Sequence, residues 1–378
     1  MSPVRCVSFL GLIENGDILV KIIAHFEVPY YQVIDEKGEL IDKLPDFAKE
    51  KIHLTKLYRT MLLNRIFDTK AIALTRTGKL GTYPSARGQE AVFSGIGDAL
   101  KKDDVYVPYY RDVASLYHRG VPLKNILLYW GGDERGNFFN SISKDFPYSV
   151  PIGTQTLHAT GIAKAFKIRK ENNAVLVTCG DGATSQGDFY EALNVAGVWN
   201  LPVVFIVSNN QWAISVSRVK QTAAKTLAQK AIAAGFSGEQ IDGNDVIVVR
   251  QRVAEALKKA RENKGPTLIE MITYRHSDHT TADDATRYES KEIRDLEWKK
   301  EPIQRLYNYM LSLGMWSENE DKAFQEECIK EIEEAVQDYL NTPKETPEVM
   351  FDYLYEELPK AYSKQREYLR QNGEKIND

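Results

Sequence analysis

Two short apolar runs in the middle of the chain set the pattern around which the other elements are arranged. Residues 174–179 (AVLVTC) and 203–208 (VVFIVS) are almost wholly apolar and rich in β-branched side chains. An amphipathic segment with helical spacing lies between them. Two apolar runs of strand length with a helix between them predict one βαβ unit.

The polar residues that end these two runs are candidates for a metal and phosphate site. Gly-Asp-Gly follows the first run at 180–182, and Asn-Asn follows the second at 209–210. Parallel strands joined by a right-handed crossover end at the same edge of a sheet, so we expect Asp181 and Asn210 to meet there. Carboxylate and amide oxygens suit Mg²⁺, and glycines before a helix start give phosphate access to free backbone N–H groups. Gly-Asp-Gly alone fits an ordinary tight turn equally well, so the inference depends on the pair of motifs.

The remaining pattern predicts an α/β fold, with a parallel sheet that carries helices on both faces. We expect an N-terminal arm over 1–50 with a turn at 36–38, an α/β domain over 51–290, and a helical C-terminal region over 291–378 packed on the same domain. Three predicted helices cover 51–79, 114–131 and 222–234. Two more begin near 89 and 154, and another runs from the capping pair Asn244-Asp245 to about 263. Further strands are predicted over 104–110, 240–242 and 267–274.

Composition and charge exclude several classes of function. The 378 residues are 43% hydrophobic and 27% charged, as in soluble globular proteins, and the net charge of −4 gives no reason to expect nucleic acid or a membrane surface as a partner. No apolar run is long enough for a transmembrane helix. The three cysteines show no CxxC spacing, which argues against a disulfide framework or a zinc site and favours the cytoplasm.

Two further segments carry candidate chemistry. The strand 267–274 is followed by RHSDHTTADDATRY, so its carboxyl end also bears ionisable side chains, among them His276 and His279. The segment 131–149 is rich in glycine and polar residues, and a loop of that length in a compact chain is usually functional or mobile.

At these motifs the chain resembles a known family. The spacing between Gly-Asp-Gly and Asn-Asn resembles the fingerprint of thiamine-diphosphate enzymes. From about Tyr30 onwards, the chain is similar to the α subunit of the first, decarboxylating component of 2-oxo acid dehydrogenase complexes. The segments that carry the resemblance are GQEAV, YRDV, GDGATSQGDFYE, NNQWAIS and HTTADDATRY.

The resemblance implies a role for each matching residue. Asp181, Asn210 and the main-chain carbonyl of Trp212 would bind Mg²⁺; the family usually has Tyr at position 212, a difference that a carbonyl ligand tolerates. The implied cofactor-binding residues are Tyr110, Arg111, Ile152, Gly180, Asp181, Gly182, Ala183, Asn210, Trp212 and His279. His279 is also the implied catalytic residue, and Ser149, Pro151, Thr154 and Gln155 match a potassium site of branched-chain members.

The resemblance also implies an activity and partners. The expected reaction is oxidative decarboxylation of a 2-oxo acid with thiamine diphosphate, followed by transfer of the acyl group to the lipoyl group of an acyltransferase component. A β subunit would contribute the aminopyrimidine half of the site in an assembly of two α and two β chains. Pyruvate is the preferred substrate, because GDGATSQGDFYEALNVAG resembles bacterial pyruvate-using members.

Alternative functions remain open at this point. Branched-chain 2-oxo acids are the second choice of substrate, and an acetoin-cleaving relative would use the same cofactor. A non-catalytic scaffold is disfavoured, because Asp181, Asn210 and His279 are all present.

Overall fold

The structure, a computed structural model, describes residues 22–139, 144–352 and 354–376. Residues 1–21 of the predicted arm, 140–143 of the predicted loop, and 353 and 377–378 of the C-terminal region lie outside the described residues. Among the described helices, none is long and apolar enough to cross a membrane.

Six parallel strands form the main sheet of the described chain, and two short antiparallel strands form a hairpin beside it. The strands are β1 (Tyr30–Tyr31), β2 (Val105–Val107), β3 (Val175–Gly180), β4 (Val203–Asn209), β5 (Trp212–Ala213), β6 (Val216–Ser217), β7 (Gly238–Asp242) and β8 (Thr267–Ile272). The sheet order is β1-β7-β8-β4-β3-β2, and β5 pairs with β6.

Helices cover both faces of this sheet, which confirms the predicted fold class. They are α1 (Lys51–Arg76), α2 (Glu90–Ala99), α3 (Val113–His118), α4 (Leu123–Trp130), α5 (Thr154–Arg169), α6 (Gly187–Val198), α7 (Arg218–Gln221), α8 (Lys230–Ala233), α9 (Val246–Arg261), α10 (Lys291–Trp298), α11 (Pro302–Ser312), α12 (Glu318–Leu340), α13 (Val349–Asp352) and α14 (Lys360–Ile376). In β3, Leu176 packs into the core beneath α1, α2 and α9, whereas Val175 and Val177 pack into the core beneath α5 and α6. Burial on both faces explains why the strand is continuously apolar instead of alternating.

The register of the two central strands places the predicted site at one edge. Gly180 of β3 lies opposite Ser208 of β4, and Asn209 of β4 lies opposite Ile272 of β8. The three strands therefore end within about one residue of each other. The predicted meeting of the segments after β3 and β4 is confirmed.

Two predicted helices differ from the structure. The helix predicted over 114–131 is split into α3 and α4, because Gly120 adopts a φ of +89° and Pro122 follows it. The helix predicted over 222–234 is reduced to the single turn of α8. There the buried carboxylate of Glu270 accepts the N–H groups of Leu227 (2.7 Å) and Ala228 (3.0 Å), so these groups do not take part in a helix.

Strand ends also differ from the prediction in places. The strand predicted over 104–110 stops at Val107, because Pro108 cannot donate to the sheet. The strand predicted over 267–274 ends at Ile272. The predicted turn at 36–38 is confirmed, since Gly38 has a φ of +85° and an antiparallel bridge joins Ile34 to Leu40.

Asp245 connects the N-terminal segment to the sheet. Its Oδ2 accepts the backbone N–H groups of Val33 (2.7 Å) and Ile34 (2.9 Å), and its Oδ1 caps α9 by accepting from Ile247 (2.9 Å). Oδ1 also accepts the N–H of Val248 at 3.3 Å, so the fully buried side chain accepts four hydrogen bonds where water cannot replace them.

We expect Asp245→Ala to lower the free energy of unfolding by about 3 kcal/mol, since it removes a helix cap and leaves two buried N–H groups without an acceptor. Equilibrium unfolding in urea measures this change. Ser290→Ala is the matched control, because Ser290 caps the exposed start of α10 through Ile293 alone, and it should cost about 1 kcal/mol or less. Equal losses in the two variants would contradict this account.

Candidate active site

Every residue predicted to bind the cofactor or the metal lines one cavity. It has a volume of about 190 Å³ and lies where β3 and β4 end. Its lining is Tyr109, Tyr110, Arg111, Ile152, Gln155, Gly180, Asp181, Gly182, Ala183, Asn210, Trp212, Ala213, Ile214 and His279. These residues come from segments spread between positions 109 and 279, and the sheet topology brings them together.

The predicted metal ligands lie side by side at this edge. Asp181 is 1% exposed, begins a 3₁₀ turn (Asp181–Ser185), and accepts a hydrogen bond at Oδ2 from Gln221 Nε2 at 2.6 Å. Burial raises the pKa of its carboxyl group. Asn210 donates its Nδ2 to Gln89 Oε1 at 3.1 Å, and its Oδ1 accepts the N–H of Trp212 at 3.2 Å. The amide oxygen of Asn210 is thus turned towards Trp212, which also lines the cavity.

The turn after β3 is packed too tightly for a side chain at its second glycine. A Cβ atom on Gly182 would lie 2.7 Å from the Cβ of Ala213 in β5. A Cβ on Gly180 would meet only ordinary contacts, so the steric demand falls on Gly182. The buried Lys230 fixes the turn from behind, with Nζ donating to the carbonyl oxygen (2.6 Å) and hydroxyl (2.9 Å) of Thr184.

Tyr110 and Arg111 follow β2 in a segment anchored by Asp112. The Oδ2 of this fully buried carboxylate accepts from the Tyr106 hydroxyl (2.5 Å), the Tyr109 N–H (2.9 Å) and the Thr178 hydroxyl. Burial raises the pKa of Asp112 to about 7. The anchor fixes the backbone immediately before the two predicted diphosphate-binding side chains.

His279 lies between two guanidinium groups. Its Nδ1 is 3.0 Å from Arg111 Nη2 and 3.4 Å from Arg275 Nη1, and Arg111 also donates to its carbonyl oxygen at 2.8 Å. Burial lowers the pKa of His279 to about 3, and the two positive charges act in the same direction. Because a guanidinium only donates, Nδ1 must accept, and the single proton of the neutral ring lies on Nε2.

The loop that carries His279 is held at several points. Asp283 Oδ2 accepts the backbone N–H of His279 at 2.8 Å and the hydroxyl of Tyr288. Thr281 exchanges two hydrogen bonds of 3.0 Å with the backbone of Tyr83. His276 is not part of the cavity lining; its ring packs edge-on against Trp298, with centroids 4.6 Å apart.

Oxygen atoms gather where the potassium site was predicted. Ser149 Oγ lies 3.2 Å from Thr154 Oγ1, which donates to the carbonyl oxygen of Pro151 at 2.9 Å. Gln155 donates its Nε2 to Thr178, while its buried Oε1 has no hydrogen-bond partner in the part of the chain that the structure describes. Nearby Ile152 lines the cavity and is 44% exposed.

The donor set fits a hard cation beside a diphosphate. One carboxylate, one amide oxygen and one main-chain carbonyl are the few oxygen ligands that Mg²⁺ takes from protein when phosphate supplies others. Within the described residues, the buried Oε1 atoms of Gln155 and Gln221 lack hydrogen-bond partners, which is consistent with groups that belong in or beside this cavity. The glycine turn and the guanidinium of Arg111 suit phosphate oxygens.

Sequence reasoning missed three residues of the lining, Tyr109, Ala213 and Ile214. It also missed four residues that support the site: Gln89, Asp112, Gln221 and Arg275. Arg275 lies just past the end of β8, so the rule that placed Asp181 and Asn210 at strand ends could have found it. Gln89 and Gln221 contact the site only through the tertiary fold. Gln89 lies in the GQEAV segment that carries the resemblance, but no local pattern assigns either residue to the site.

Comparison with known proteins gives consistent results. The family described as "Dehydrogenase E1 component" matches residues 58–348. The "Pyruvate dehydrogenase E1 component subunit alpha" of Staphylococcus aureus is 39% identical over 348 residues, which cover 91% of this chain and 93% of the relative. The protein of the same name from Staphylococcus epidermidis matches with the same identity and coverage.

We expect the His279 imidazole to stay neutral between pH 5 and pH 8, which ¹⁵N-histidine NMR measures after assignment with His279→Asn. Arg275→Gln removes a positive charge that disfavours the protonated ring, so it should raise the pKa of His279 by about 1. Arg287→Gln, an exposed change on the same loop, is the control and should leave the pKa unaltered. A wild-type titration near the ordinary histidine value of about 6.5 would contradict this description.

Proposed function

This chain belongs to the dehydrogenase E1 component family, and we propose that it is the α subunit of a pyruvate dehydrogenase E1 component. It takes part in the oxidative decarboxylation of pyruvate with thiamine diphosphate and in transfer of the acetyl group to a lipoyl group. The observation that carries this proposal is that the residues predicted to bind the cofactor and Mg²⁺ all line the cavity where β3 and β4 end.

The chain's own residues have distinct tasks in this proposal. Asp181, Asn210 and the carbonyl oxygen of Trp212 would hold Mg²⁺, and the N–H groups of Gly182 and Ala183 would hold diphosphate oxygens. Tyr110 and Arg111 would approach the diphosphate from the end of β2. When bound, thiamine diphosphate supplies the electron sink for loss of carbon dioxide from a 2-oxo acid.

His279 acts in this proposal as a neutral hydrogen-bond donor. Arg111 and Arg275 occupy Nδ1, so Nε2–H is the end of the ring available to a ligand in the cavity. Burial and the two guanidinium groups lower the pKa of His279 to about 3, which favours the neutral ring with its proton on Nε2. We therefore assign it to orienting the cofactor or substrate by donation from Nε2.

The size and rim of the cavity support a partner subunit. A volume of about 190 Å³ is below the range of roughly 300–1,000 Å³ typical of complete ligand pockets, so it suits the diphosphate half of the cofactor. Around this half-site, Val150, Ile152, Ile214 and Val216 are 43–56% exposed, and such apolar surface beside a cavity is typical of an interface. We propose a β subunit there, in an assembly of two α and two β chains.

Further parts of the proposal concern ions, partners and location. Ser149, Pro151, Thr154 and Gln155 would form a K⁺ site beside the cavity, since K⁺ binds oxygen ligands and these residues bring several together. The lipoyl group would belong to an acyltransferase component, and the complex would lie in the cytoplasm. Branched-chain 2-oxo acid and acetoin-cleaving activities are not favoured, because the relatives at 39% identity are named for pyruvate.

We expect the co-expressed α and β chains to reduce ferricyanide with pyruvate as substrate and with added thiamine diphosphate and Mg²⁺. 3-Methyl-2-oxobutanoate and acetoin should react at least about 10-fold more slowly, which corresponds to about 1.4 kcal/mol of discrimination. The α chain alone should be inactive. Full activity without the partner would contradict the half-site proposal, and faster reaction with either alternative substrate would contradict the assignment of pyruvate.

We expect Asp181→Asn to lower the pyruvate-dependent rate of the α/β enzyme by more than about 100-fold, because loss of residues that merely support metal ligands already costs 10- to 100-fold. Steady-state assays at saturating Mg²⁺ and thiamine diphosphate measure this loss. Asp338→Asn, which changes an exposed carboxylate on α12, is the control and should react like the wild type. An Asp181→Asn enzyme of normal rate would exclude Asp181 as a metal ligand.

A further inference from the structure

Gln89 is a fully buried amide at the start of α2 that connects three segments of the site. Its Oε1 accepts hydrogen bonds from Ser208 Oγ (2.9 Å), Asn210 Nδ2 (3.1 Å) and the Tyr109 hydroxyl (3.2 Å). Its Nε2 has no acceptor among the described residues, so the side chain acts here only through its oxygen. Gln89 does not line the cavity itself.

These contacts decide which end of the Asn210 amide faces the cavity. An asparagine amide carries an oxygen at one end and a nitrogen at the other, and only the oxygen can bind a cation. Gln89 Oε1 can accept only the Nδ2 end of Asn210, which leaves Oδ1 on the side of Trp212. With an apolar residue at position 89, nothing on this side of Asn210 would select that orientation.

The Oε1 atom of Gln89 also connects the metal side of the site to its phosphate side. Tyr109 lines the cavity, precedes Tyr110 and Arg111, and packs against the Tyr110 ring at an angle of 56° with centroids 4.8 Å apart. Asn210 follows β4, two strands away from β2 in the sheet. Gln89 therefore bridges the ends of β2 and β4 across β3.

We propose that Gln89 is a positioning residue that turns the Asn210 oxygen to the metal and sets the affinity of the site for a divalent cation. The inference rests on the proposed function, since it assumes that Asp181 and Asn210 bind the metal. Outer-shell partners of metal ligands typically change metal affinity by 10- to 100-fold when they are removed.

The test measures Mn²⁺ binding by the co-expressed α/β enzyme with thiamine diphosphate, using the EPR signal of free Mn²⁺. Gln89→Leu and Gln89→Met both remove the acceptor, and each should weaken Mn²⁺ binding by about 10- to 100-fold. Gln89→Glu keeps an oxygen acceptor for Asn210 and should recover most of the affinity. Ser115→Ala is the control, because it removes a different buried hydrogen bond to α2, from Ser115 Oγ to the Phe93 carbonyl (2.7 Å).

A double-mutant cycle separates orientation from general loss of stability. In an Asn210→Asp background both ends of the side chain are oxygens, so Gln89→Leu should cost at least about fivefold less affinity than in the wild type. An equal loss in both backgrounds, or Mn²⁺ affinity unchanged in Gln89→Leu and Gln89→Met, would overturn the inference. If the wild-type enzyme binds no Mn²⁺, or if the Asp181→Asn variant binds it as tightly as the wild type, the result overturns the proposed function together with this inference.

Discussion

The parallel register between β3 and β4 is the constraint on which the site depends. Because Gly180 lies opposite Ser208, the carboxylate that follows one strand and the amide that follows the other emerge at the same level. A shift of this register by one residue would turn the side chains of the shifted strand to the opposite face of the sheet. Because both strands are buried on both faces, such a shift would disturb the packing on each side. The packing of two apolar cores therefore fixes the geometry of a polar site that contributes little to either core.

Acidic and basic side chains occupy different sides of the site. Asp181, which burial makes harder to ionise, receives a neutral amide donor from Gln221. On the other side of the cavity, Arg111 and Arg275 converge on His279 without a carboxylate directly between them, and the nearest acid, Asp283, holds the backbone of His279. An excess of positive charge facing a small cavity suits a multiply charged anion, which would supply the missing counter-charge.

The sequence was sufficient to predict the sheet edge and most of the residues that line the cavity there, but not the residues that support them. Asp181 and Asn210 could be placed because apolar runs and crossover handedness are local and general rules. Gln89 and Asn210 are 121 positions apart, and no periodicity relates them. The helix predicted over 222–234 was wrong for a similar reason. Its helical pattern is local, whereas Glu270, which accepts backbone N–H groups of this segment, lies far along the chain in β8. The domain boundaries and the roles of the site residues stay predictions.

The hydrogen bond between Gln221 and Asp181 has a consequence for how a cation enters. Asp181 Oδ2 already accepts a hydrogen bond of 2.6 Å from the amide of Gln221, which lies at the end of the short helix that follows the β5–β6 hairpin. If the proposed Mg²⁺ binds Asp181 through Oδ2, loading is an exchange and not a simple addition, because the amide of Gln221 has to move aside before the ion is fully coordinated. An enzyme depleted of its ion and then resupplied would regain activity with a lag governed by that side-chain movement as well as by diffusion.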